Sequence, residues 1–240
     1  MENSSQLNSD FHSVEFHYSF TSGLGAWEEH RYVKEHVLRI VLTDETGAVL
    51  ESIGEVRFLM VHLAEILASH HHPHSILDAH SEYLARHIFK VFDPSEEEFT
   101  EKVVEHYGGD LLLLKVCFIR EIKIKPKFRG YQIGAKAIKD IIFHFGSSCG
   151  LVMLEAYPLQ FETLESRIEN HAFELEKLEK DEEMATYKLL AYYQRIGFET
   201  IEGIKGLVFY NPALKNSKMD EIDLEEDCII KDREHDNLEG

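Results

Sequence analysis

Residues 111–146 constrain the fold more than any other stretch, because they combine a long apolar run, a glycine-bearing turn and an amphipathic segment. Residues 111–124 are mostly apolar, which is typical of a strand buried on both faces of a central sheet. Pro126 is expected to end that strand, since proline donates no backbone hydrogen bond. Apolar residues then recur at helical spacing up to Gly146, which predicts a helix. They are Ile133, Ala137, Ile138, Ile141, Ile142 and Phe145.

The sequence before this stretch predicts antiparallel strands. Residues 13–20 alternate as a half-buried strand does. Residues 36–43 and 48–63 are rich in Val, Ile and Leu, and the turn between them ends in Gly47, a residue that hairpin loops favour. We therefore expect a long hairpin, with Gly54 as a candidate bulge.

Three further segments have a helical pattern. Residues 63–107 are expected to form helices, one of them capped by the Asp-Pro-Ser sequence at 93–95. Residues 159–182 combine apolar positions with dense charge, which favours an exposed helix. Residues 184–196 predict a better buried helix that ends at Gly197, a residue suited to a left-handed cap.

Short apolar runs near the end of the ordered pattern complete the predicted sheet. Residues 151–156 indicate a strand, and residues 198–204 and 207–210 indicate a terminal strand pair. Strands alternating with helices in this order describe a mixed-sheet α/β or α+β domain.

The chain is long enough for one domain with insertions. Of its 240 residues, 44% are hydrophobic, which suffices for a core without disulfides. We expect a single domain over 13–212, with helical insertions at about 63–107 and 159–182. The polar residues 1–12 are expected to be disordered, and the strongly acidic residues 213–240 to form a solvated tail.

Charge and cysteine content narrow the partners and the compartment. A formal net charge of -19 repels phosphate backbones, so no nucleic-acid binding is expected. We find no signal-peptide pattern and no run of the ~18 apolar residues that a membrane span needs, so no membrane association is expected. The three cysteines, Cys117, Cys149 and Cys228, stand at unrelated spacings that suit a reducing compartment, which predicts a cytoplasmic protein.

The turn within residues 122–135 is a candidate phosphate-binding site. Backbone N–H groups at a helix N-terminus lack intrahelical partners and lie where the helix dipole is positive, so they can hold a diphosphate. Gly130 and Gly134 leave room for that approach. The nucleotide P-loop requires Gly-Lys before Ser or Thr, and the dinucleotide fingerprint requires three glycines, so both fit poorly.

This turn resembles the strand-to-helix motif of the GNAT superfamily, the acyl-CoA-dependent N-acyltransferases. That motif reads apolar-x-apolar-x-Pro-x-x-Arg-Gly-x-Gly-apolar-Gly. Gln132 stands where the family has its middle glycine, so one amide of the cradle is expected to sit differently or to bind less well. The matching positions are Ile122, Ile124, Pro126, Arg129, Gly130, Ile133 and Gly134.

A second GNAT-like motif follows in the right order at residues 193–198, Tyr-Gln-Arg-Ile-Gly-Phe. Together the two motifs extend the resemblance over about residues 48–211. It implies a GNAT-like α/β fold, with a central mixed, mostly antiparallel sheet flanked by helices. It also implies that the strand ending at Pro126 and the strand beginning at Leu151 splay apart.

The resemblance further implies that acetyl-CoA is the co-substrate and that an amine is the acceptor. The pantetheine arm would pair with the first of the splayed strands, and the diphosphate would bind the amides of the turn. The implied cofactor-binding residues are Ile122, Lys123, Ile124, Arg129, Gly130, Tyr131, Gln132, Ile133, Gly134 and Ala135.

Two side chains are candidates for the proton transfers. Tyr193 matches the family position whose phenol lies near the thioester sulfur, so it is the candidate general acid. Glu155 stands late on a strand where some family members carry a catalytic Glu, and it is the candidate base, with Glu121 as a rival. The plain alternatives are core packing for Tyr193, beside Tyr187 and Tyr192, and a lysine-paired carboxylate at the sheet edge for Glu155.

The histidine-rich residues 70–74, with His80 nearby, raise the question of a metal. Adjacent histidines point in divergent directions, and no cysteine or carboxylate stands at finger-like spacing. We interpret the run as a solvated turn and expect no metal site.

Two functional hypotheses remain open. One is an N-acetyltransferase that acts on a primary amine of a small molecule or a protein. The alternative is a non-catalytic acyl-CoA-binding, sensing or scaffold protein of the same fold. Because residues 21–35 leave little room for the two helices that commonly form the family's amine pocket, the insertions at 63–107 and 159–182 are expected to shape the acceptor site or a homodimer contact.

Overall fold

The computed structural model describes residues 13–22, 28–109, 111, 113–163 and 171–224. Within these residues the chain forms one six-stranded sheet and one two-stranded hairpin. The strands are β1 (Ser13–Phe20), β2 (Val33–Thr43), β3 (Val49–Val61), β4 (Phe92–Asp93), β5 (Glu98–Phe99), β6 (Val116–Ile124), β7 (Leu151–Glu155) and β8 (Leu207–Tyr210).

Helices connect and cover these strands. The described α-helices are α1 (Glu28–Tyr32), α2 (Leu63–Ala68), α3 (Pro73–His80), α4 (Glu82–Ile88), α5 (Glu101–Tyr107), α6 (Ile133–Phe145), α7 (Glu182–Arg195) and α8 (Ser217–Asp220). Short 3₁₀ turns lie at Pro126–Phe128, Gly146–Ser148, Leu159–Phe161, His171–Phe173 and Leu175–Lys177.

The large sheet has the order β1-β2-β3-β6-β7-β8. Its strand pairs are antiparallel except for β6 and β7, which run parallel and are connected through α6. The prediction of a mixed α/β protein with a mostly antiparallel sheet is therefore confirmed.

The sheet separates two helical layers because successive strand side chains point to opposite faces. Phe58 belongs to the core layer that includes residues of α6, α7 and α8, whereas the next residue, Leu59, belongs to the layer that includes residues of α2 to α5. The amphipathic stripe predicted for α6 is buried against the first of these faces. The helices of the 63–107 insertion cover the second face, so they are part of the core of the domain.

The predicted hairpin is present as β2 and β3, and the ladder is irregular next to Gly54. Ile40 pairs with Gly54 while Val41 pairs with Ser52, so Ile53 is the extra residue of a bulge. A Cβ atom at Gly54 would lie 2.8 Å from the carbonyl oxygen of Lys123 on the neighbouring strand. Glycine is required there because β3 and β6 approach too closely for a side chain.

Two local predictions were wrong. Asp93 does not cap a helix: its carboxylate accepts hydrogen bonds from Ser95 in the turn between β4 and β5, and Thr100 precedes α5 instead. The same Asp and Ser chemistry serves turns and caps alike. Residues 198–204 form no continuous strand, and only Glu199 bridges to Phe209 there.

Residues 164–170, in the middle of the exposed helix predicted for residues 159–182, lie outside the described residues. The remainder holds three 3₁₀ turns, and Leu175 is buried. The helix that follows begins at Glu182, where the Asp181 carboxylate accepts a hydrogen bond from the Met184 amide.

The ordered chain continues past residue 212, where charge alone predicted a disordered tail. Asn216 caps α8, and Met219 and Ile222 pack into the first core layer. This acidic segment therefore contains two apolar residues that are buried in the core. Residues 1–12, predicted to be disordered, and residues 225–240 lie outside the described residues.

The histidine-rich segment contributes to helix capping and ring packing. The His72 side chain accepts a hydrogen bond from the His74 amide at the start of α3, and the His74 ring stacks on Phe89. Among the described residues, no group of three or more His, Cys, Asp and Glu side chains is arranged to hold a metal ion.

None of the described helices combines the length and apolar character that a bilayer crossing requires.

We expect Phe118→Ala to lower the free energy of unfolding by about 3–5 kcal/mol, because it removes a fully buried ring of the second core layer. Phe143→Ala is the matched control, since that ring is 73% exposed and its loss should change stability by less than ~0.5 kcal/mol. Chemical denaturation measures both. Equal effects would contradict the assigned core.

Candidate functional site

The sheet opens between β6 and β7. Their parallel ladder begins at Val116 and ends where Ile119 pairs with Leu154, whereas β6 stays paired with β3 as far as Ile124. The divergence coincides with a bulge, because Arg57 pairs with Glu121 and the next residue of β3 pairs with Ile119. A bulge bends its strand and increases the local twist. The extra residue, Arg120, therefore lies at the point where the two strands part.

The gap is continuous with two cavities, of about 410 Å³ and about 390 Å³. We call the first the central cavity and the second the turn cavity, because the second reaches the glycine-bearing turn before α6. They form one groove, since they share five lining residues. The shared residues are Ile122, Leu175, Leu178, Leu189 and Tyr193.

Two residues of the turn before α6 have a left-handed backbone conformation. This conformation is expected at Gly130 but not at Gln132. Gly130 has φ 88°, a value that favours glycine. Gln132, the residue that replaces the family's middle glycine, also lies in the left-handed region, at φ 59°. The backbone thus takes up a conformation that glycine would adopt without strain, and the first amides of α6 follow it directly.

The turn cavity is cationic although the chain is strongly acidic. Its lining includes Lys123, Arg129 and Arg195 and no Asp or Glu. Arg129 donates from Nε to the carbonyl oxygen of Ile124 at 3.0 Å and from Nη2 to the carbonyl oxygen of Phe173. Arg129 therefore joins the end of β6 to the segment that holds Leu175 and Leu178 over the groove.

Arg129 also changes one expectation. The backbone of Ile122 to Ile124 was expected to be free to pair with a ligand, but the Ile124 carbonyl already accepts the Arg129 hydrogen bond. Strand-like pairing along the open side of β6 is thus limited to groups that precede that carbonyl.

Tyr193 lies where the central and turn cavities meet. Its side chain is 8% exposed and packs edge-on against Phe198 and Tyr192. Burial raises the pKa of Tyr193, so its phenol stays protonated at neutral pH. Tyr193 is therefore a core residue that also lines the groove. Its interpretation as core packing is compatible with its interpretation as a general acid.

Glu155 lies in the wall of the central cavity at the end of β7. Its Oε2 accepts a hydrogen bond from the Tyr83 hydroxyl at 2.7 Å, and its Oε1 lies 3.3 Å from Nε2 of His87. Burial alone would raise the pKa of Glu155, but the interactions with His87 and Tyr83 outweigh burial and leave it lowered. The alternative interpretation of Glu155 was a carboxylate paired with a lysine. Its partners are instead a tyrosine and a histidine.

Sequence reasoning missed His87, which is 1% exposed behind Glu155. Its Nδ1 lies 2.7 Å from the Tyr83 carbonyl oxygen, which can only accept, so Nδ1 carries a hydrogen. Nε2 faces the Glu155 carboxylate at 3.3 Å, an electrostatic contact without a well-aligned hydrogen bond. The only sequence signal is the four-residue spacing of Tyr83 and His87 on α4.

Most of the sequence-predicted site residues come together in this groove. Glu155, Tyr193 and the rival base Glu121 line the central cavity, and Glu121 accepts a hydrogen bond from Lys123 at 2.8 Å. Two predicted cofactor ligands are not among the lining residues, since Ala135 is buried in the core and Tyr131 packs against it. The others line the turn cavity: Ile122, Lys123, Ile124, Arg129, Gly130, Gln132, Ile133 and Gly134.

Comparison of the chain with protein-family models, with curated proteins and with solved structures finds no significant match.

We expect Gln132→Gly to raise the free energy of unfolding by about 0.5–1 kcal/mol. The left-handed conformation costs a side-chain-bearing residue about 1–2 kcal/mol, and the greater freedom of glycine in the unfolded chain offsets part of that gain. Gln194→Gly on α7 is the matched control and should be destabilising, since that residue is helical. Urea titration of both variants measures the difference, and a loss of stability in Gln132→Gly would contradict the assigned backbone.

Proposed function

We propose that this chain is an acetyl-CoA-dependent N-acetyltransferase with a GNAT-like fold. One observation carries the proposal: a single groove connects a cationic helix N-terminus to the gap between β6 and β7, where Tyr193 and Glu155 line the same cavity. The motif resemblance supports the same function from the sequence side.

The turn cavity has the chemistry that a diphosphate requires. The first amides of α6 are available to an anion, and the helix dipole adds positive potential at that point. Arg195 contributes an exposed cationic side chain to the same lining, whereas Lys123 is held by Glu121 and Glu55. The lining contains no carboxylate, so it would not repel a negatively charged ligand in spite of the net charge of -19.

The thiol-bearing arm of the cofactor would follow the opening from the turn cavity to the central cavity. The shared leucines, Leu175, Leu178 and Leu189, offer an apolar surface along this path. Beyond Ile119, β6 has no ladder with β7, so its backbone can pair with the amides of the arm up to the Ile124 carbonyl. This geometry would bring the thioester close to Tyr193.

The chemistry needs one bond formed, one bond broken and protons moved in both directions. The neutral amine attacks the thioester carbonyl, forming the C–N bond, and the tetrahedral intermediate then expels the thiolate as the C–S bond breaks. Glu155 accepts a proton from the amine nitrogen, directly or through water, and later releases it to solvent. Tyr193 donates its phenolic proton to the thiolate sulfur and is reprotonated from solvent.

A non-catalytic acyl-CoA-binding protein is the second candidate. It is favoured by the lowered pKa of Glu155, whose carboxylate is already engaged by Tyr83 and His87 and is therefore a weaker base than an unpaired buried glutamate. Calorimetry combined with a thiol-release assay separates the two functions. Binding of acetyl-CoA without turnover on any amine would support the second candidate.

Tyr193→Phe is expected to lower kcat about 10-fold to 100-fold, because it removes the proton donor and keeps the ring packing. The dissociation constant for acetyl-CoA should stay unchanged. Tyr187→Phe is the matched control on the same helix, since its side chain is 67% exposed. Undiminished kcat in Tyr193→Phe would remove this residue from the mechanism.

Arg195→Gln is expected to raise the dissociation constant for acetyl-CoA about fivefold, because it removes one exposed cation from the diphosphate end of the groove. The effect should shrink as salt is added. Arg39→Gln, which removes an exposed cation from β2, is the control. Equal affinities of the two variants at low salt in isothermal titration would contradict the assigned diphosphate site.

A further inference from the structure

A third cavity, of about 330 Å³, adjoins the central cavity and shares no lining residue with the turn cavity. We call it the outer cavity. It shares Glu155, Glu121 and Arg120 with the central cavity, and Arg86 from α4 lies in its wall beyond them. The full lining is Tyr83, Arg86, Arg120, Glu121, Glu155, Tyr157, Leu159 and Glu162.

Two guanidinium groups are held at this cavity by one aromatic ring. The guanidinium carbons of Arg86 and Arg120 lie 5.8 Å and 6.0 Å from the centroid of the Tyr83 ring. Cation–π attraction of this kind stabilises each cation without neutralising it. The Tyr83 hydroxyl donates to Glu155, so one side chain connects both arginines to the candidate base.

The acidic residues of the outer cavity are already engaged. Glu155 interacts with Tyr83 and His87, and Glu121 accepts a hydrogen bond from Lys123 at 2.8 Å. Glu162 also has a partner.

The two arginines of the outer cavity are less well paired than its acidic residues. Arg120 comes no closer than 4.0 Å to Glu121, and no carboxylate of the described residues forms an ion pair with Arg86. Arg86 is therefore a cation of this wall that has no ion-pair partner among the described residues, although the wall also carries three carboxylates.

We propose that the acceptor is a small amino acid, an amine that carries a carboxylate, and that Arg86 and Arg120 bind this carboxylate. The inference rests on the proposed acetyl transfer and specifies its substrate class. Arginine is the side chain best suited to bind a carboxylate through two parallel hydrogen bonds. The order of groups along the groove then places the acceptor nitrogen next to Glu155 and its carboxylate farther out, next to Arg86.

The size of the cavity favours a small molecule over a protein chain. A volume of about 330 Å³ lies at the lower end of the range for small-molecule sites, roughly 300–1,000 Å³. The walls come from α4 on one side and from residues 157–162 on the other, so the two insertions line the acceptor site together. An amine without a carboxylate would leave the arginines unpaired. This difference would favour the amino acid over the amine as acceptor.

The test compares amino acids with their decarboxylated analogues as acceptors for the full chain with acetyl-CoA. Suitable pairs are lysine with cadaverine and phenylalanine with phenethylamine. We expect kcat/KM to be at least tenfold higher for the carboxylate-bearing member of at least one pair. Arg86→Gln should reduce that preference by raising KM more for the amino acid than for the analogue. Arg39→Gln is the matched control and should keep the preference.

Two outcomes would overturn the acceptor assignment while the proposed acetyl transfer stands. One is equal or faster transfer to the decarboxylated amines, or to the N-terminus of a peptide. The other is an Arg86→Gln variant that affects both members of a pair equally. Failure of the proposed function itself has a different signature, because acetyl-CoA would then show no binding by calorimetry and no acceptor would react.

Discussion

The site depends on the end of the hydrogen-bonded ladder between β6 and β7 at Ile119 and Leu154. A parallel ladder that continued would place two strands about 4.8 Å apart and leave no room for a ligand between them. The bulge at Arg120 ends the alignment, while β3 keeps the rest of β6 in the sheet. The opening is thus supported on one side by the antiparallel pair of β3 and β6. Only the later part of the ladder between β6 and β7 is lost.

The two helical layers place different chemical groups at this opening. The layer formed by α6 and α7 brings backbone amides, cations and Tyr193 to one end of the groove. The opposite layer brings Tyr83, Arg86 and His87 on one turn of α4 to the other end. Glu155 lies where the two sets meet. Its position explains why one carboxylate interacts with a tyrosine, a histidine and the central cavity at once.

Charge is distributed unevenly over the molecule. The whole chain has a net charge of -19, whereas the turn cavity is lined by Lys123, Arg129 and Arg195 and by no carboxylate. Arg129 is not simply a ligand for an anion, because it also ties β6 to the Phe173 carbonyl. Bulk composition contains no information on this local arrangement of charge, and electrostatic interactions are strongest among groups that share a low-dielectric cavity.

Sequence alone determined the elements whose pattern is local. The end of β6 before Pro126, the helix from Ile133 to Phe145 and the glycine-bearing turn between them follow from neighbouring residues, and so does the mixed sheet. Tertiary structure alone decided that Tyr83 bonds Glu155, 72 positions away, and that His87 lies behind that carboxylate. It also decided that the acidic segment after residue 212 anchors Met219 in the core. Such contacts depend on how two layers pack across a sheet, and periodicity along a chain specifies which face a residue takes but not which distant residue it meets there.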